Sequence, residues 1–363
     1  MIFNISDSQF KHIMSNQKFH LPIRWDGKDF KNSLNCLYDD YLSELESCYN
    51  KNKDNALSLE LEKFNTDLKE MTFICNRLLY CIKRYNAGFP ADAFDGLNCV
   101  MNILMEHPLK VYQKTGWLYP INNDKLYLFR LRNVNDNSIH TRKEIFHVPA
   151  NARSMVSACR YSIAGYPSLY LTTSIQLGIE EIGTNNNAIV SRFKLERQQS
   201  EFNIRVLELG IKPQDFYEDY TNNINEIRFK GRNLTGVDIN NSSLQSNYLK
   251  WYPLIAACSF IRANKNTPFA SEYIIPQLLM QWVRKQVGET ELMGIRYFSC
   301  ASTRASEMGF DYVFPVNNTE YENNYCSVLR KAFKLTEPVY IKDFLSVEDC
   351  ERDLIHSNSF DKI

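Results

Sequence analysis

The clearest pattern in the chain lies between residues 60 and 85, where Leu61, Phe64, Leu68, Met71, Cys75, Leu78, Ile82 and Tyr85 recur in steps of three and four. Steps of that size line one face of an α-helix. Gly88 and Pro90 then supply a stop, and Phe94, Leu97, Met101 and Leu104 restart the same spacing, so the pattern predicts two helices in an antiparallel hairpin. An earlier face formed by Phe30, Leu34, Leu37, Tyr41 and Leu45 predicts a third helix. Residues 27–108 therefore read as helical, and the plainest role for such a bundle is packing or self-association.

After Pro108 the texture changes to short β-rich runs between polar turns, at Leu126 to Leu131, Ser168 to Thr172, Ala188 to Phe193 and Ile204 to Leu209. Helical spacing returns over 246–263 and 272–285, with Pro276 acceptable only near the start of the second of these. The run ending in Tyr297 and Phe298, and Tyr312 to Pro315, predict late strands. Mixed order of this kind predicts an α+β fold. The Asn-rich stretches at 184–187 and 239–247 read as surface loops.

At 363 residues the chain exceeds one ordinary core. The expected division is a helical region over 1–115, a mixed domain over 120–345 and a C-terminal tail over 346–363. Lys plus Arg equals Asp plus Glu at 42 each, so no global field draws the chain to nucleic acid or to an anionic membrane. No apolar run approaches the roughly 18 residues of a spanning helix, and the first residues lack a basic and then apolar leader. A cytoplasmic location is the expectation. Ten cysteines and six histidines are scattered without CxxC or HExxH spacing, which predicts reduced thiols and no metal site.

Four segments carry polar residues where a strand or helix start would aim them into a cleft: Leu126 to Arg132, Arg160 to Glu181, Glu272 to Gln277 and Gly294 to Ser299. Each alone is weak, because an arginine on a strand or a Glu180-Glu181 pair on a helix is as a rule a solvated residue. Their order and spacing as a set resemble the RES domain family, named for its Arg, Glu and Ser. Phe129-Arg130 stands at the family's aromatic-Arg pair, with Arg132 as the competing arginine. Arg160-Tyr161-Ser162, Gly165, Leu169-Tyr170, Ser174 and Glu181 follow the family order, and Tyr170 and Glu181 stand eleven positions apart. Gln277, and then Gly294, Ile295, Tyr297 and Ser299, complete the pattern. The departures are Phe298, where a proline is common, and a long insertion between the Glu and Gln segments.

The resemblance implies a fold similar to the ADP-ribosyltransferases, with a mixed sheet and flanking helices behind the helical N-terminal segment. It also implies NAD as substrate, no further cofactor, and a place among toxins and bacterial defence effectors that degrade NAD, often restrained by an antitoxin or regulatory protein. Arg130, Tyr170, Glu181 and Ser299 are the implied catalytic set, with Arg160, Tyr161, Ser162, Ser174 and Gln277 binding the dinucleotide. These residue types suit the chemistry. Cleavage of the nicotinamide glycosidic bond develops positive charge on the ribose, which a carboxylate such as Glu181 stabilises. Arginines match a pyrophosphate in geometry and charge, and a tyrosine face holds the flat nicotinamide cation. Water, phosphate or a macromolecule are all open as acceptor, a non-catalytic binding module is the alternative of another class, and a homodimer through the N-terminal helices is a further expectation. No GxGxxG fingerprint suggests a redox use of NAD.

Overall fold

A computed structural model describes residues 7–52, 58–106, 118–120, 126–135, 140–183, 187–196, 205–215, 228–229, 232–233, 242–264, 266–287, 292–316, 321–322 and 324–363. In chain order its helices are α1 (Asp7–Ser15), α2 (Phe30–Asn52), α3 (Ser58–Asn86), α4 (Pro90–Glu106), α5 (Arg142–Ile145), α6 (Ile175–Ile182), α7 (Ser242–Ala257), α8 (Ile274–Gln286), α9 (Ser327–Ala332) and α10 (Val347–His356). The strands of its main sheet are β1 (Leu118–Pro120), β2 (Leu128–Asn133), β3 (Ser168–Thr172), β4 (Ala188–Leu195), β5 (Arg205–Leu209), β6 (Leu292–Phe298), β7 (Phe310–Pro315), β8 (Phe333–Leu335) and β9 (Val339–Tyr340). The fold is α+β, with a helical N-terminal segment before a mixed sheet.

The chain forms two compact units, one of Met1–Leu118 with Ile211–Leu279 and one of Tyr119–Gly210 with Met280–Ile363. In the first, α3 and α4 form the hairpin that the spacing predicts, turning at Gly88, whose φ of 84° a side chain would resist. The seam positions Met71, Cys75, Leu78 and Ile82 are buried, as are Leu97, Met101 and Leu104 on α4. Leu61 and Phe64 of the same seam lie outside the described side chains.

Helix α7 belongs to this unit as well. Tyr248, Leu249, Trp251, Tyr252, Leu254 and Ile255 are all buried, and a helix that is apolar all round needs cover on every side. That need explains why residues 211–279 group with the N-terminal helices and not with the mixed domain expected over 120–345. Pro253 stands inside α7 and cannot donate to the carbonyl four residues earlier, Leu249 O. The Tyr41 hydroxyl donates to that carbonyl at 2.7 Å, and Tyr38 donates to Pro253 O at 2.7 Å. Lys250 is buried between Asp67 at 2.6 Å and Glu70 at 2.7 Å, tying α7 to α3. The expected loop at 239–247 differs from the structure, since residues 242–247 open α7 with Gln245 and Ser246 buried; tertiary burial overrides the polar composition there.

The second unit is built on a nine-stranded sheet in the order β1-β5-β6-β7-β3-β2-β4-β8, with β9 also on β4. The β5–β6 pair is parallel, and β6–β7, β7–β3, β3–β2, β2–β4 and both partners β8 and β9 of β4 are antiparallel. Helix α6 packs on Phe129 and Leu131 of β2, with Ile175, Val190, Cys350 and Leu354 completing the cluster. Gly178 makes this approach possible, because a side chain there would run into Leu131. Residues 346–363, expected as a tail, supply α10, capped by Ser346 Oγ accepting from Asp349 N at 3.1 Å and buried through Cys350 and Leu354.

Candidate functional site

The site grows from the C-terminal end of α6. Eight residues are too few to hold a helix alone, and α6 is fixed at its ends. Ser174 Oγ accepts from Leu177 N at 3.2 Å, Glu351 of α10 accepts from Ile175 N at 3.0 Å, and Gly183 at φ 59° ends the helix by donating to Ile179 O at 2.9 Å. Glu181, in the last turn, is exposed. Its Oε1 accepts a hydrogen bond from the hydroxyl of Ser299, a fully buried residue just beyond β6 and 118 positions away in sequence. The bond goes to Glu181 and not to Glu180. Ser299 Oγ itself accepts from Ala301 N at 3.1 Å, which fixes the hydroxyl for donation.

Asp311 of β7 joins them. It is 3% exposed, lies between Thr172 of β3 and Tyr297 of β6 in the sheet register, and has its carboxyl beside that of Glu181. Burial holds its carboxyl well above the usual carboxylate range, the charge of Glu181 adds to the effect, and the Arg160 guanidinium opposes it. Burial likewise raises the Tyr297 phenol, with Asp311, Glu181, Tyr170 and Tyr161 adding in turn. Around this acidic pair the tyrosines form a wall. The rings of Tyr161 and Tyr297 lie 4.6 Å apart at 54°, and Tyr170 donates its hydroxyl to Tyr161 O at 2.6 Å.

Other expected residues stand elsewhere. Arg130 lies on the opposite side of β2 from Phe129 and Leu131, which pack on α6. It donates through Nη1 to Tyr170 O at 2.8 Å, its Nε is buried without a partner, and burial followed by the charge of Arg132 pushes the guanidinium down to about 9. Arg132 donates to Phe146 O at 2.9 Å. Ser162 closes a turn, accepting from Cys159 N at 3.0 Å and donating to Cys159 O at 2.9 Å. Ser174 is engaged as the α6 cap and donates to Met308 O at 3.0 Å. Gln277 is half-buried on α8, in the part of that helix assigned to the first unit. The structure thus brings together Tyr161, Tyr170, Glu181 and Ser299, with the charge of Arg160 nearby, and hydrogen-bonds neither Arg130 nor Ser174 to the acidic pair.

Asp311 is the residue that the sequence reading missed. One signal was available: a lone carboxylate in Phe310–Pro315, a strand with all six residues buried, is a buried acid in need of a partner. Among the described residues no group of three His, Cys, Asp or Glu side chains is placed to hold a metal ion, and no helix is long and apolar enough to cross a membrane.

No family model matches the chain, and no solved structure matches it. A Bacillus subtilis (strain 168) protein described as "Putative toxin YopC" is 28% identical over 348 residues, which cover 93% of this chain and 72% of that protein. The chain is therefore similar, along nearly its whole length, to a protein described as a toxin.

Proposed function

We propose that the protein is a RES-type enzyme that cleaves the nicotinamide–ribose bond of NAD, and that it acts as a toxin or defence effector. The observation that carries this reading is the hydrogen bond from Ser299 to Glu181, which joins two residues that the RES resemblance pairs in one site. The similarity to a protein described as a toxin supports the biological side of the reading, and an antitoxin-like partner belongs to it.

In this reading the exposed Glu181 carboxylate faces the ribose and stabilises the positive charge that develops as nicotinamide departs. Ser299 keeps that carboxylate from turning away. A preorganised donor is useful because no reorganisation is then needed during bond cleavage. Tyr170, half-buried and backed by the packed rings of Tyr161 and Tyr297, offers an aromatic face to the nicotinamide cation. Arg160 and Arg130 supply positive charge for the pyrophosphate, and Arg130 makes no ion pair among the described residues that would have to be broken first.

The test is incubation of purified protein with NAD, with and without phosphate, following free nicotinamide. Wild type is expected to release nicotinamide, and Glu181→Gln, which keeps the shape and removes the charge, to lose rate by on the order of 10²-fold or more with little change in KM. Dependence on phosphate separates phosphorolysis from hydrolysis. Absence of release in both buffers would refute free NAD cleavage and turn attention to a macromolecular acceptor or a binding module.

A further inference from the structure

We infer that Asp311 is a positioning residue that carries a proton shared with Glu181, and so holds the Glu181 carboxylate in the orientation that Ser299 also binds. The inference rests on the proposed function only for its consequence in turnover; the shared proton is argued from the burial of Asp311, its fixed place in the sheet, its partnerless Oδ2 and the carboxyl of Glu181 beside it.

Asp311 cannot withdraw from Glu181. It sits in β7 between β3 and β6, paired across to Thr172 on one side and Tyr297 on the other. The strand start is pinned as well, since Phe310 N donates to Thr173 Oγ1 at 2.8 Å. Its carboxyl is therefore held at 3% exposure beside a second carboxyl. Its Oδ2 is buried and meets no donor among the described residues. An ionised carboxylate in that setting would bury a second negative charge beside Glu181 against the one cation Arg160, whereas a protonated one turns the same contact into a donated hydrogen bond.

The groups that face Asp311 agree with this assignment. Glu181 approaches from α6, Arg160 from the segment before β3, and Tyr297 from β6, with Tyr170 and Tyr161 beyond it. Arg160 is the one cation in that set and favours ionisation, but burial and Glu181 outweigh it. Glu181 thus has a donor from Ser299 and a second from Asp311, while its exposed side stays open. Two donors from rigid neighbours fix a carboxylate more firmly than one, and misplacement by about 1 Å costs on the order of 10²-fold in rate.

The experiment has two arms. In the first, the infrared C=O band of protonated carboxyls is titrated in protein carrying 13C-labelled aspartate, for wild type, Asp311→Asn and Glu181→Gln. A protonated aspartate band is expected in wild type near neutrality, absent in Asp311→Asn, and titrating at lower pH in Glu181→Gln because the like charge is gone. A band that survives Asp311→Asn, or a midpoint indifferent to Glu181→Gln, overturns the shared proton. In the second arm, kcat for NAD cleavage is followed against pH. Wild type should lose activity on the alkaline side as Asp311 ionises. Asp311→Asn, which keeps a donor that cannot ionise, should retain most of kcat and lose that decline. Asp311→Leu should lose kcat on the order of 10²-fold at nearly constant KM, with near-ultraviolet circular dichroism as the check on folding. A wild-type alkaline limb preserved in Asp311→Asn overturns the positioning role. No cleavage by wild type would refute the NAD reading and leave the first arm to decide the pair by itself.

Discussion

The buried tyrosines of the helical unit and the buried polar side chains of the sheet unit meet their surroundings differently. In the helical unit the buried tyrosines each hand their hydroxyl to a backbone carbonyl: Tyr38 to Pro253, Tyr41 to Leu249, Tyr248 to Ile211 and Tyr252 to Phe19. These are neutral donors, and their bonds do not change with pH near neutrality. In the sheet unit several buried polar groups have atoms without partners, among them Arg130 Nε, Ser191 Oγ, Arg192 Nε and Asp311 Oδ2. Natural interiors rarely leave such atoms unsatisfied. The helical unit is not free of such groups, since Lys250 is buried between Asp67 and Glu70 and Asp67 Oδ2 has no partner.

This contrast can be broken at stated places. The largest effect should come from acid. His147 is fully buried in the sheet unit, with Nδ1 against Val148 O at 2.8 Å and Nε2 accepting from Cys326 N at 2.9 Å. Burial first, and then the charges of Arg130 and Arg132, push its imidazole down to about 4 against a favourable bond to Val148. The folded value lies below the unfolded one, so its stabilisation is full above about pH 6.5 and is lost as pH falls through 4. The difference amounts to about 3 kcal/mol. Urea midpoints at neutral and acid pH should therefore diverge in wild type and much less in His147→Gln; equal slopes for the two proteins would remove titratability from the contrast.

The next effect lies in the helical unit. Tyr41→Phe leaves Leu249 O without its donor, next to a proline that cannot replace it, and should cost about 1–3 kcal/mol in chemical denaturation. An unchanged midpoint would mean that the carbonyl is satisfied some other way. The smallest effect is expected from Ser191→Ala in the sheet unit, where the hydroxyl removed is fully buried and already without a partner. Stability should stay within about 0.5 kcal/mol or rise. A clear loss would show that Ser191 Oγ is bonded in solution and would weaken the comparison.

How much of this was legible in the sequence depended on whether the cue was local. The hairpin of α3 and α4 and the strands β2, β3, β4 and β7 follow from periodicity, because an apolar face leaves its spacing in the chain. The pairing of Tyr170 with Glu181 came from fixed separation and family order. Asp311 did not, since its partner is 130 positions away and a one-dimensional pattern does not show that a strand is central. The grouping of α7 with the N-terminal helices was hidden for the same reason: sequence neighbours suggested the mixed domain, while burial on all sides placed α7 among α-helices. Helix α10 was passed over although Ser346, Asp349 and the spacing of Val347, Cys350 and Leu354 form an ordinary capped amphipathic start. Arg130 was sound as a strand residue, but which face of β2 it took could be settled only once α6 was seen against Phe129 and Leu131.

The carboxylate of Glu351 at the first amide of α6 makes that short helix a lever. From Ile175 to Glu181 is a rigid span of roughly 9 Å, clamped by α10 at one end and by Ser299 at the other. Between those two ends α6 is bedded on Phe129 and Leu131 of β2 and on Cys350 and Leu354 of α10, so the C-terminal helix and Glu181 share one packed support. The last helical segment of the chain and the carboxylate that faces solvent are mechanically one part.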